Sequence, residues 1–262
     1  MSHQRYSNSF LLCFGLLIAI GLGCNSEPSS REGITIAAAA SMQFAAEALR
    51  QDFTQRTGIP VSLITGSSGK LTAQIREGAP YDLFLSADQN YPNALSEQHL
   101  TLGSPEVFAS GSLVFWMVKA DSSTSFQELS KASVRHLAIA NPETAPYGRA
   151  AWELLQKIDS SGSLQDRLVY GESIAQVNQF ISSGAAEVGF TALSVVTAPQ
   201  LKDVGRYEVI PDSLYAKIWQ VAAVIRSKDE EKMAVATAFQ QYLHSAAARD
   251  ILRKFGYRVP VE

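Results

Sequence analysis

Thiols are almost missing from this chain. Of 262 residues only Cys13 and Cys24 are cysteine, so no disulfide framework, zinc finger or cysteine nucleophile exists beyond residue 24. Charge is sparse: 18% of residues are Asp, Glu, Lys or Arg, and the net charge is −3. A nucleic-acid binder needs a basic field to meet phosphates, and none is supplied. A disordered chain combines low hydrophobicity with high net charge, whereas 46% of these residues are hydrophobic. After His3 the only histidines are His99, His136 and His244, far apart and without paired spacing. Each reads as a surface residue rather than a metal ligand. Long uncharged apolar runs occur only at the extreme N-terminus, which excludes a polytopic membrane protein. At ~100–200 residues per domain, the length favours two lobes.

The N-terminal run is an address. Residues 1–8 are polar and include Arg5, residues 10–20 form a short apolar core, and Gly21-Leu22-Gly23 precede Cys24. That order is a secretory signal peptide over 1–23; the core is short for a spanning helix of ~20 residues. Cys24 stands where a bacterial lipoprotein signal ends, with Gly21 at the position where Leu is usual. Residues 24–30 then form a polar tether. The expectation is an exported chain whose lipidated Cys24 ties a soluble body to a membrane surface.

After the tether, strand and helix patterns alternate. Apolar runs at 34–38, 61–65, 82–86, 113–119, 137–140, 188–191, 207–210 and 219–225 read as strands. Helical periodicity is clearest from Ser41, with Phe44, Ala45, Ala48, Leu49 and Phe53 on one face, and over 173–182, with Ile174, Val177, Phe180 and Ile181. Further helices are expected over 70–76, 148–158, 230–246 and 247–255, the last stopped by Gly256. Such alternation predicts an α/β fold with parallel sheets covered by helices on both faces.

Four strand-to-helix junctions are rich in small or hydroxyl-bearing residues: Ala39-Ala40-Ser41-Met42, Gly66-Ser67-Ser68-Gly69, Ala145-Pro146-Tyr147-Gly148 and Gly171-Glu172-Ser173-Ile174. Helix N-termini present unsatisfied N–H groups and partial positive charge. In open α/β folds these ends gather where ligands bind. Taken singly, Ser41, Ser68 and Ser173 are ordinary N-caps; taken together, the junctions suit a small anion held by neutral donors.

Other patterns fit less well. Ser67-Ser68-Gly69-Lys70 matches S-x-x-K but lacks the companion motifs of penicillin-interacting enzymes. The same stretch fails as a P-loop, with Ile64 at the first Gly position and Leu71 where a hydroxyl would bind magnesium. Asp82 and Asp88 flank a strand end, where Asp88 suits a helix or turn cap. Arg149 fits either a ligand contact or a solvated helix face.

Several runs resemble the molybdate-binding proteins of ABC importers. They are Ala37-Ala38-Ala39-Ala40-Ser41, Gly66-Ser67-Ser68-Gly69-Lys70-Leu71, Gly78-Ala79-Pro80-Tyr81-Asp82-Leu83-Phe84-Leu85-Ser86-Ala87-Asp88, Asn141-Pro142-Glu143-Thr144-Ala145-Pro146-Tyr147-Gly148-Arg149-Ala150 and Glu187-Val188-Gly189-Phe190-Thr191-Ala192-Leu193-Ser194. Residues 248–257 fit too, so the resemblance spans nearly the whole chain after the leader. It implies a periplasmic-binding-protein fold: two α/β lobes, 31–112 with 220–262 and 113–219, joined by two crossover strands near 113–119 and 219–225. It implies molybdate or tungstate in the cleft, with molybdenum bound only as the oxyanion. Ser41 and Ser68 match ligand-binding serines, and Tyr147 and Ile174 match backbone contacts. Where the family's better-known pattern has a ligand-binding Tyr, this chain has Ala192; the Tyr147 phenol is expected to supply the missing bond.

The chemistry is consistent with that resemblance. A fully deprotonated dianion needs donors only. Hydrogen phosphate also needs an acceptor, and leaving its proton unpaired costs ~1–3 kcal/mol. Sulfate must then be rejected by size. The expected protein is no enzyme, needs no cofactor, acts as a monomer and hands its oxyanion to a membrane permease. The alternatives are a binding protein of the same fold for sulfate or phosphate, and an exported serine hydrolase using Ser67 or Ser68.

Overall fold

The structure, a computed structural model, describes residues 33–118, 125–129, 134–159 and 161–260. The signal segment, Cys24 and the tether lie outside the described residues. Two five-stranded mixed sheets organise the rest. The first has the order β2-β1-β3-β10-β4, from β1 (Ile34–Ala39), β2 (Val61–Gly66), β3 (Leu83–Ser86), β4 (Thr101–Gly111) and β10 (Ile218–Ile225). The second has the order β7-β6-β8-β5-β9, from β5 (Leu113–Met117), β6 (Leu137–Ala140), β7 (Leu168–Gly171), β8 (Val188–Ala192) and β9 (Arg206–Val209). Each sheet with its helices forms one lobe.

Alternation along β1 builds the first lobe. Ile34, Ile36 and Ala38 pack on one face against α1 (Gln43–Thr57), α7 (Glu230–Tyr242) and α8 (Ala246–Lys254). On the other face, Ala37 with Phe84 meets α2 (Ser68–Arg76) and α3 (Asn90–Glu97). Burial on both faces explains why the central strands read as unbroken apolar runs. Phe53 of α1 lies 4.8 Å from the Phe239 ring and 5.4 Å from that of Tyr242. In the second lobe, Phe115 and Phe190 stack across the β5–β8 pair at 5.3 Å. There α4 (Pro146–Ile158), α5 (Ile174–Ser183) and α6 (Leu193–Val196) complete the cover.

Three sequence expectations differ from the structure. The sheets are mixed rather than parallel: β10 runs antiparallel to both β3 and β4, and β5 to both β8 and β9. These are the strands by which the chain arrives in a lobe from the other one, so they enter against the local direction. β4 and α3 carry no clear periodicity in sequence. β4 is an edge strand with an exposed, Gly- and Pro-containing first half and two register shifts against β10, the place where a sheet tolerates proline. Helices also begin earlier than expected, α2 at Ser68 and α4 at Pro146.

The chain leaves the first sheet at Ser112, the single residue between β4 and β5, and returns over residues 210–217. The first return anchor is Tyr215, whose hydroxyl accepts from the Leu113 N–H at 3.1 Å.

The aromatic contact between α1 and α7 generates a stability prediction. Phe239 is fully buried, so Phe239→Ala should cost about 3–5 kcal/mol of unfolding free energy, measured by urea denaturation. A loss under 1 kcal/mol would show that this contact contributes little.

Candidate functional site

Five junctions converge on one small pocket. It is lined by residues 39–41 at the end of β1, 66–68 at the end of β2 and start of α2, Ala87 after β3, 145–147 at the start of α4, and Ile174 at the start of α5. All lie beyond the carboxyl ends of strands, the edge where open α/β sheets bind ligands. The pocket's free space is about 10 Å³, near the minimum for one water. Walls this close suit a compact ion and exclude a sugar or an amino acid.

No lining residue is charged. Positive potential comes instead from the N-termini of α2, α4 and α5, which begin at Ser68, Pro146 and Ile174. First-turn N–H groups have no intrahelical acceptor and hold partial positive charge. Pro146 at the first position of α4 has no N–H, so Tyr147 is the first donor of that turn. Gly148 lets α4 start this close to the strand: a Cβ there would sit 2.1 Å from the Ala140 carbonyl oxygen.

The residues singled out from sequence, Ser41, Ser68, Tyr147 and Ile174, all line this pocket. Their polar atoms differ. The Ser41 hydroxyl is buried without a partner among the described residues, while its carbonyl accepts from Ser194 Oγ at 2.7 Å and Tyr257 OH at 3.3 Å. The Ser68 hydroxyl oxygen accepts from Ala87 N–H at 3.1 Å, leaving its hydrogen free to donate. Ser173 does not line the pocket, and neither does Ala192, which is buried at the end of β8. Ala87 and Ser67 are additional lining residues. Ala87 contributes through its backbone N–H, which holds the Ser68 hydroxyl, and residue type carries no signal for that.

The Tyr147 phenol departs from expectation. A methyl group at Gly111 would lie 1.9 Å from its oxygen and 3.3 Å from Gln220 Nε2, and neither Gly111 nor Gln220 lines the pocket. The ring fills space left by the missing Gly111 side chain, beside the first crossing. The phenol oxygen thus lies beside Gly111 and Gln220 rather than beside another residue of the pocket lining. Burial pushes its pKa well above the ordinary value, helped by the neighbouring Tyr257 and Tyr215 phenols, so it stays protonated. Its oxygen has no partner among the described residues.

Around the pocket the two lobes touch. The Gly69 N–H donates to the Thr144 carbonyl at 2.8 Å, and Tyr91 OH donates to the Glu143 carbonyl at 2.8 Å. Asp88 caps α3 by accepting from Tyr91 N–H at 3.2 Å and pairs with Arg149 at 3.0 Å. Arg149 is thus spent on a carboxylate from the opposite lobe rather than facing the pocket. Lys70 pairs with Glu172 at the rim. Asp82 accepts from Thr35 N–H at 2.7 Å, a structural role apart from Asp88. No histidine or carboxylate lines the pocket, so neither Ser67 nor Ser68 has a base there to activate it. Among the described residues, no group of three or more His, Cys, Asp or Glu could hold a metal ion.

Comparison with known proteins gives a consistent picture. A family model described as bacterial extracellular solute-binding protein matches residues 34–258. The molybdate-binding protein ModA of Rhodobacter capsulatus is 35% identical over 92% of this chain and 93% of its own. The ModA protein of Azotobacter vinelandii is also 35% identical, over 92% and 96%. A solved structure of the Azotobacter vinelandii periplasmic molybdate-binding protein superposes with a TM-score of 0.81 at 33% identity, covering 87% of this chain and all of that one.

The unpartnered phenol sets the sign of a mutation. Tyr147→Phe removes a buried hydroxyl that bonds to nothing among the described residues. Unfolding free energy should stay level or rise by up to ~1–3 kcal/mol, measured by chemical denaturation of the unliganded protein. A fall of more than 1 kcal/mol would mean that the phenol is bonded after all.

Proposed function

We infer the ligand from one premise: the chain belongs to the bacterial extracellular solute-binding proteins. It captures molybdate or tungstate outside the cytoplasm and delivers the oxyanion to the permease of an ABC importer. It is a carrier and not an enzyme, and the oxyanion is its cargo, not a cofactor.

The observation that carries this reading is the uncharged pocket, closed at three helix N-termini and by buried serine hydroxyls. In our reading Ser41 and Ser68 donate through their hydroxyls, and Tyr147 and Ile174 through their backbone N–H groups. Every such group donates to a fully deprotonated dianion. No lining carboxylate is available to accept the proton of hydrogen phosphate, which would be left unpaired at a cost of ~1–3 kcal/mol. Sulfate meets the proton test, so in our reading its rejection comes from size, with the cleft closing around the larger molybdate or tungstate.

Binding then requires motion. We assign the lobes to 31–112 with 220–262 and to 113–219, except that Ile218 and Trp219 pair with β4 and so move with the first lobe; they turn about Ser112 and residues 210–217, so that closure desolvates the ion and strengthens each bond. The leader and Cys24 favour a lipid-tethered monomer at the membrane surface.

Two measurements test this. Calorimetry of the mature protein should give tight molybdate and tungstate binding, with sulfate and phosphate weaker by at least ~100-fold, about 2.7 kcal/mol. Ser41→Ala should weaken molybdate by roughly 10- to 150-fold. Comparable affinity for sulfate rejects the ligand. Closure is tested separately with Gly69→Ala. Its new Cβ would sit 2.9 Å from Thr144 Cα on the opposite lobe, yet alanine favours the helix by up to ~1 kcal/mol. The variant should bind molybdate at least ~10-fold more weakly, about 1.4 kcal/mol, while the unliganded protein melts no lower than wild type. Unchanged affinity would argue that the ion is bound without this inter-lobe contact.

A further inference from the structure

The pocket hydroxyls are not equivalent, and Ser67 is the odd one. It is the N-cap residue of α2 with an extended backbone (φ −67°, ψ 146°), yet its side chain makes no cap bond. Ser125 accepts from Gln127 N–H, Asp229 from Lys232 N–H and Ser245 from Ala248 N–H; Ser173 at the start of α5 makes no cap bond either, but it is only partly buried. One first-turn donor of α2 that Ser67 would otherwise cap, Gly69 N–H, is committed to the Thr144 carbonyl of the opposite lobe. The Ser67 hydroxyl is therefore buried with no partner among the described residues, an arrangement that costs free energy and is kept where something else satisfies the group.

The buried side-chain polar atoms in this state belong to Ser41, Thr54, Ser67, Tyr147, Asn178 and Gln220. Thr54, Asn178 and Gln220 do not line the pocket, and the Tyr147 oxygen lies against Gly111. The hydroxyls of Ser41 and Ser67 remain, one on each of two adjacent junctions of the first lobe. Ser68, by contrast, already accepts from Ala87 N–H.

We propose that the Ser67 hydroxyl donates a hydrogen bond directly to the bound oxyanion and supplies the side-chain donor that Ala192 cannot. The proposal rests on the oxyanion reading above. It makes the first lobe the source of three hydroxyl donors, from Ser41, Ser67 and Ser68, while the second lobe offers backbone N–H groups alone. A tetrahedral oxyanion has oxygens for all of them, because each oxygen accepts more than one bond.

The test is calorimetry of mature Ser67→Ala with sodium molybdate, beside wild type and Thr54→Val, which removes an unpartnered hydroxyl away from the pocket. Ser67→Ala should bind about 10- to 150-fold more weakly, and Thr54→Val should bind as wild type does. Because no cap bond is lost and a buried unpartnered hydroxyl is removed, unliganded Ser67→Ala should melt no lower than wild type. Wild-type affinity in Ser67→Ala overturns the proposal and leaves the oxyanion site standing. Absence of molybdate binding by the wild-type protein rejects the ligand reading and this proposal with it. A crystal structure of the wild-type complex gives an answer independent of folding: Ser67 Oγ within about 3.2 Å of a ligand oxygen supports the contact, and a separation beyond about 3.5 Å from all of them overturns it.

Discussion

A buried anion without a counter-cation must be solvated by dipoles that the fold holds in place before the ion arrives. Water supplies such dipoles freely, and a protein supplies them only by ordering its backbone. In this structure the dipoles are helix N-termini and serine hydroxyls at the ends of strands. No single sheet edge offers enough of them around a tetrahedral ion. Two lobes facing each other do, which is why the pocket draws on β1, β2 and β3 from one sheet and on the starts of α4 and α5 from the other.

Full charges stay nearby but in pairs. Asp88 meets Arg149, and Lys70 meets Glu172, each across the two lobes. The Lys70–Glu172 pair is exposed and contributes little stability, while Asp88–Arg149 is partly buried. Their effect here is to cancel: neither cation is left to attract anions of every kind, and neither carboxylate is left to repel an incoming dianion. The discrimination is left to geometry and to the proton count of the ligand.

The same lobes meet through buried tyrosines. Tyr257 and Ser194 hold the Ser41 carbonyl, Tyr215 holds the Leu113 N–H and donates to Asp212, and Asp212 pairs with Arg258. Arg258 keeps the Asp212 carboxyl below its usual range, so this tie is present at neutral pH and is lost only as pH falls below the carboxylate range. The crossings are therefore anchored beside the pocket-lining residues. Tyr147, in the first turn of α4, lines the pocket and places its phenol at the first crossing, so pocket and crossing share one side chain.

The sequence by itself determined the fold class and the junctions. Strand runs such as Ile34-Thr35-Ile36-Ala37-Ala38 and the glycine- and serine-rich segments after them are local signals, set by side-chain periodicity and by the needs of helix starts. Ser41, Ser68, Tyr147 and Ile174 were legible as pocket-lining residues because each sits in such a segment. What tertiary structure decided is where the side chains of those segments go. The direction of β10 and β5 depends on which lobe the chain comes from, and β4 is an edge whose polar half needs no periodicity. Whether Ser67 caps its helix depends on a carbonyl at Thr144, 77 positions away in the chain. The Tyr147 phenol turned to the crossing because Gly111, brought beside it only by folding, leaves the space. A hydroxyl can serve a cap, a crossing or a ligand, and contacts between residues distant in sequence determine which.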